Sequence, residues 1–173
     1  MRGTLALAAP PSEQALPLRD YQRACIDAIK GKFAAGVTRQ LAALPTGAGK
    51  TVIAAHAIGE LGMRTTFVVH RDELVKQTVD KLTQTYPALD VAICKADQGR
   101  YISELRADVV VASAQTIARP ERLARLVEGI GTGGLIVSDE AHHDRAESRM
   151  RAIEALAPAL LIGITATPER GDG

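Results

Sequence analysis

Six short apolar blocks recur along the chain: QLAAL at 40–44, TTFVV at 65–69, DVAIC at 90–94, DVVVA at 108–112, LIVSD at 135–139 and LLIGIT at 160–165. Each is short, mostly apolar on successive positions and rich in β-branched residues, as strands are when both their faces are covered. Longer segments with helical spacing lie between them. Residues 71–86 carry Leu74, Val75, Thr78, Val79 and Leu82 on one face, and residues 120–128 and 147–157 repeat the pattern more weakly. Strands that alternate with helices in this way form a βαβ series, which predicts a doubly wound, mostly parallel α/β sheet. With hydrophobic residues at 46% but aromatics at only 3%, the core must be built of Ala, Leu, Ile and Val. The length of 173 residues suits one domain, large enough to bury about two-thirds of its unfolded surface.

One element does not belong to the alternation. Arg19 to Phe33 reads as a helix ahead of the first strand, with Cys25, Ile29 and Phe33 four apart on one face. Residues 1 to 16 read as a loose leader, since the apolar part of MRGTLALAAPP is shorter than a secretory core and breaks at Pro10 and Pro11. No run approaches the roughly 18 apolar residues of a membrane span, so a soluble chain with no membrane partner is expected. Cys25 and Cys94 have neither a C-x-x-C partner nor a histidine at metal-ligand spacing, which fits thiols in a reducing cytoplasm. The net charge of +1 leaves any nucleic-acid contact to a local patch rather than a basic surface.

In an open α/β sheet, ligands bind outside the carboxyl ends of the strands, and three strand ends carry unusual residues. LPTGAGKT, Leu44 to Thr51, closes the first block with two glycines, a lysine and a threonine. Such a loop can turn successive backbone N–H groups inward at a helix N-terminus, with Lys50 reaching the β/γ-phosphates and Thr51 ligating Mg²⁺. The strict G-x-x-x-x-G-K-[ST] pattern has glycine where this chain has Leu44, so a plain flexible turn stays open as the alternative. In IVSDEAHH, Ile136 to His143, Asp139 can hold Mg²⁺ opposite Thr51 while Glu140 orients the attacking water; alone, the same residues would suit a solvated turn. GITATPER, Gly163 to Arg170, sets Thr165 and Thr167 where their hydroxyls could meet that acidic cluster, or simply end a strand before Pro168.

Taken in order, LRDYQ (18–22), LPTGAGKT (44–51), FVVHRDELVKQ (67–77), VASAQTIAR (111–119), SDEAHH (138–143) and GITATPERGDG (163–173) resemble the Q motif and motifs I, Ia, Ib, II and III of superfamily 2 helicases. The closest branch is the DEAD/DEAH type related to the restriction-enzyme res subunit, which includes RadD-like and XPB-like proteins. The resemblance covers residues 18 to 173 and implies a RecA-like P-loop lobe that uses ATP and Mg²⁺. It implies that Gln22 bonds the adenine edge and that Thr46, Gly47, Ala48, Gly49, Lys50 and Thr51 hold the phosphates. Asp139 with Thr51 would hold the metal, Glu140 and Lys50 would serve the hydrolysis, and His142, Thr165 and Thr167 would link nucleotide to nucleic acid. Arg71, Ser113, Gln115, Thr116 and Arg119 would track the phosphates of one strand without reading bases, with DNA expected ahead of RNA.

Helicases of this kind close the ATP site between two RecA-like lobes, the second supplying arginine fingers. The sequence ends six residues past Thr167, so residues 17–173 are expected to be the first lobe alone, either cut from a longer chain or a natural single lobe, with the abrupt end at RGDG favouring the cut. A P-loop phosphotransferase for small molecules would need an acceptor site and lid arginines and would not need Gln22 or the DEAH run. A nucleotide-binding or DNA-binding scaffold without turnover fits poorly while Lys50, Thr51, Asp139 and Glu140 are all intact.

Overall fold

The computed structural model describes residues 14–94, 107–139 and 146–166. Six strands, β1 (Arg39–Leu44), β2 (Thr65–Val69), β3 (Val91–Cys94), β4 (Val109–Ser113), β5 (Leu135–Asp139) and β6 (Leu160–Ala166), coincide with the six apolar blocks. They form one sheet in the order β1-β6-β5-β2-β4-β3, and every pairing is parallel. Among the described residues, six helices connect or precede them: α1 (Asp20–Ala34), α2 (Lys50–Leu61), α3 (Glu73–Thr85), α4 (Ala114–Ile117), α5 (Pro120–Ile130) and α6 (Ala146–Leu156). Among the described residues, no helix is long and apolar enough to cross a membrane.

Successive strand residues serve opposite faces, and the core divides accordingly. Phe67, Val69, Val109, Val111, Leu135, Val137, Leu160 and Ile162 meet buried residues of α1, α2 and α3. Their neighbours Val68, Val110, Ala112 and Ile136 meet α4, α5 and α6 instead. With each of the central strands apolar on both faces, only helical cover on both sides keeps them out of water, which is the reason the blocks were apolar on successive positions.

Helix α2 is the centre of the first face. It is buried without interruption from Ile53 to Glu60, lying between α1 and α3, and the alanines at 54, 55 and 57 let those helices approach. Gly59 carries this furthest: a Cβ there would come within 2.5 Å of the Tyr86 ring. Two polar residues on α2 then tie down its neighbours. Glu60, 5% exposed, accepts from Arg23 at 2.6 Å and from Lys30 at 2.8 Å, both on α1. Burial alone would raise the Glu60 pKa, but the bonds to Lys30 and Arg23 outweigh it and hold the carboxyl below its ordinary value of 4.5. His56 sets its ring edge-on to Tyr86, centroids 5.4 Å apart, with Nε2 2.9 Å from the Leu16 carbonyl. Leu16, the last residue of the leader read from the sequence, also donates its N–H to Thr85 at 2.9 Å.

Candidate functional site

The strand order arranges the carboxyl edge of the sheet. The ends of β1, β6 and β5 lie side by side, followed by those of β2 and β4. The phosphate-loop candidate, Thr165 and Asp139 therefore occupy one half of the edge, and Arg71 and Ser113 the other.

Leu44, the departure from the strict loop pattern, is the last residue of β1. It pairs with Ala166 and is buried in the core beneath α1 and α2. An extended, buried strand position has no use for glycine, so the turn is made one residue later. Ala48 donates its N–H to the Pro45 carbonyl at 3.1 Å, while Gly47 at φ +79° and Gly49 at φ +74° take left-handed conformations that cost other residues about 1 kcal/mol or more. Gly49 is constrained twice, because a Cβ there would sit 2.6 Å from Gln22 Nε2.

That approach has a purpose. Tyr21 Oη and Gln22 Nε2 each donate to the Ala48 carbonyl at 3.0 Å, so two donors from α1 use both lone pairs of one loop carbonyl. Gln22 is 5% exposed, and its Oε1 accepts from the Arg19 N–H at 3.0 Å, capping the first turn of α1. In a planar trans peptide the N–H of Gly49 lies anti to the Ala48 carbonyl. Fixing the carbonyl toward α1 thus turns that N–H away from α1 and holds the peptide just before α2 in one orientation. The glutamine expected at an adenine edge is held here against the phosphate-loop candidate, and Tyr21, which sequence reasoning passed over, shares its work. An aromatic residue beside the glutamine was the only available signal.

Asp139 closes β5 and follows Leu135 and Val137 onto the α1–α3 face, the face that carries Lys50 and Thr51. Its Oδ1 is shut off from solvent. Thr51 hydroxyl and Asp139 carboxylate are hard oxygen donors of the kind that suit Mg²⁺ shared with phosphate oxygens. Thr165 follows Ile164, the residue paired with Asp139 and packed in the α1–α3 core, so its side chain projects from the opposite face. Its Oγ1 donates to the Ala166 carbonyl at 3.3 Å. Glu140, His142 and Thr167 lie outside the described residues.

On the other half of the edge, the five expected nucleic-acid contacts separate. Arg71, Gln115 and Arg119 are exposed, whereas Ser113 and Thr116 are buried. Ser113 Oγ donates to Asp72 Oδ1, accepts from the Thr116 N–H at 3.0 Å and lies 3.1 Å from Thr116 Oγ1. Asp72 was not singled out from the sequence, where an aspartate ahead of a helix reads as an ordinary cap.

The family model for the type III restriction enzyme, res subunit, matches residues 15–170. The chain is 36% identical over 172 residues to the "Putative ATP-dependent helicase IRC3" of Saccharomyces cerevisiae, covering 90% of this chain and 24% of that protein. It is 29% identical over 169 residues to the "DNA 3'-5' translocase XPB2" of Sulfurisphaera tokodaii, covering 97% of this chain and 35% of that protein. It thus spans about a quarter to a third of these relatives' length. In fold it is similar to the Sulfolobus solfataricus SWI2/SNF2 ATPase core solved in complex with dsDNA, with a TM-score of 0.71 at 20% identity over 95% of this chain and 35% of that one.

Proposed function

The chain belongs to the type III restriction enzyme res subunit family, and from that premise we propose that it is the ATP-binding motor lobe of a helicase or translocase. The observation that carries this reading is the loop between β1 and α2, where two left-handed glycines and a doubly pinned carbonyl fix the backbone that leads into a helix N-terminus. ATP supplies the phosphoryl group that is transferred to water. The chain's part is to hold and orient: Thr46 to Gly49 cradle the phosphates with backbone groups, and Lys50 carries the charge that meets them. Thr51 and Asp139 hold Mg²⁺, Glu140 orients the attacking water, and Gln22 keeps its adenine role with the amide hydrogen that Ala48 does not use. His142, Thr165 and Thr167 connect the site to the rest of the carboxyl edge.

On the β2–β4 half, Arg71, Gln115 and Arg119 hold the phosphates of one strand, and Ser113 and Thr116 hold the loops that carry them. DNA is proposed over RNA; one relative is named a DNA translocase and others are named "Putative ATP-dependent RNA helicase", so the oligonucleotide used in the test decides between them. A second RecA-like lobe of the parent chain completes the site. Burial pushes the Cys25 and Cys94 thiols up, as suits unreactive thiols in a reducing cytoplasm.

ATP turnover by residues 1–173, measured with and without single-stranded DNA, tests the two-lobe part of this reading. Background rates are expected in both, because arginine fingers contribute about 10³ to 10⁵ in rate. Strong DNA-stimulated turnover that Glu140→Gln abolishes would show one lobe to be sufficient.

A further inference from the structure

Asp72 stands at the N-cap of α3, the position where an aspartate side chain ordinarily accepts from the first-turn N–H groups. It makes no such bond. Its carboxylate reaches across to β4 and accepts a hydrogen bond from the Ser113 hydroxyl, a residue with 0% exposure. The strands behind these two loops are neighbours in the sheet, with Val69 paired to Ser113. Ser113 in turn caps α4 through the Thr116 N–H, and α4 runs directly into Arg119, the N-cap of α5. One charge-assisted bond, of the stronger class, therefore joins the loop that carries Arg71 to the turn that carries Gln115 and Arg119.

We propose that Asp72 is a positioning residue that locks the two phosphate-tracking loops in register, so that Arg71 on one and Gln115 and Arg119 on the other meet successive phosphates of the same strand. The inference rests on the nucleic-acid reading of this edge. It explains why a carboxylate stands beside a polyanion site: its repulsion is offset by the geometry it fixes, and its helix-capping role is given up for the same bond. Ser113 and Thr116 then act through the loops and touch no phosphate, in keeping with their burial.

The sign of one substitution separates position from charge. Removing an anion next to a phosphate track strengthens binding if only the charge matters. If Asp72 positions the loops, Asp72→Ala weakens binding severalfold and lowers the slope of log K against log salt by roughly 0.7, one single-strand phosphate contact. Asp72→Asn keeps an oxygen that accepts from Ser113 and drops the charge, so it binds at least as well as wild type. Fluorescence anisotropy of a labelled oligothymidine over a potassium chloride series measures all three proteins, with nucleotide affinity and thermal melting confirming that each is folded. Wild-type binding with Asp72→Ala equal or tighter overturns the positioning role and leaves the nucleic-acid reading intact. No wild-type binding overturns that reading, and the positioning role with it.

Discussion

Ala48 brings no reactive side chain to the site, yet the two bonds to its carbonyl fix how the proposed phosphate loop is held. The two donors it receives differ in what their loss would do. Gln22 is buried and caps α1 as well, so its removal disturbs several contacts together. Tyr21 is 43% exposed and gives the loop a single hydroxyl. Tyr21→Phe removes that hydroxyl and leaves the ring and its packing, so the peptide keeps one of two constraints. One hydrogen bond contributes about 0.5–1.5 kcal/mol, and a tenfold change corresponds to about 1.4 kcal/mol. Calorimetric titration should therefore show ATP affinity reduced roughly two- to tenfold, while the melting temperature falls by only a few degrees, about 1–6 °C for the same bond. Unchanged affinity would free the loop from Tyr21.

Helix α1 was legible in the sequence as an element, but its anchoring was not. Its buried face runs through Gln22, Ile26 and Ile29, with the expected Cys25 and Phe33 only flanking it. The ion pairs that hold it join Arg23 and Lys30 to Glu60, partners more than two dozen residues apart that share no local pattern. Helix α4, four residues long, has too few turns to show a period. Ser113 and Thr116 entered as phosphate contacts through the resemblance to motif Ib alone, and their burial is a tertiary property that no local pattern reports. At this scale His56 governs pH dependence. Burial lowers its pKa below the ordinary 6.5, against the opposing pull of the Leu16 bond and of Glu60. As pH falls, the unfolded chain takes up the proton first. The contribution of neutral His56 is thus fully present above pH 6.5 and is lost as pH falls through the depressed value. Glu60, held below 4.5, acts only in a separate and more acidic window. Thermal melts between about pH 7 and pH 5 should show stability declining, and His56→Gln, which keeps a donor for Leu16 without the titration, should flatten that decline. A wild-type melting temperature that is level over this range would contradict the assignment.

Across the whole molecule, the six described strands place the proposed nucleotide half and the proposed nucleic-acid half on one edge, joined where β5 pairs with β2. The strand blocks, the glycine-rich turn between β1 and α2 and the order of motifs were all visible in the sequence, because apolar runs and glycine spacing are local signals. The division of the edge was not, since β1 and β2 follow one another in the chain yet stand three places apart in the sheet. Everything in this account depends on Lys50 and the loop before it receiving a nucleotide's phosphates. The most direct measurement is a calorimetric titration of ATP with magnesium into wild type and Lys50→Ala. Saturable binding to wild type, weakened at least about tenfold in Lys50→Ala by the loss of about 1.4 kcal/mol or more, is the predicted result. Equal affinities in the two proteins, or no binding to wild type, would contradict it.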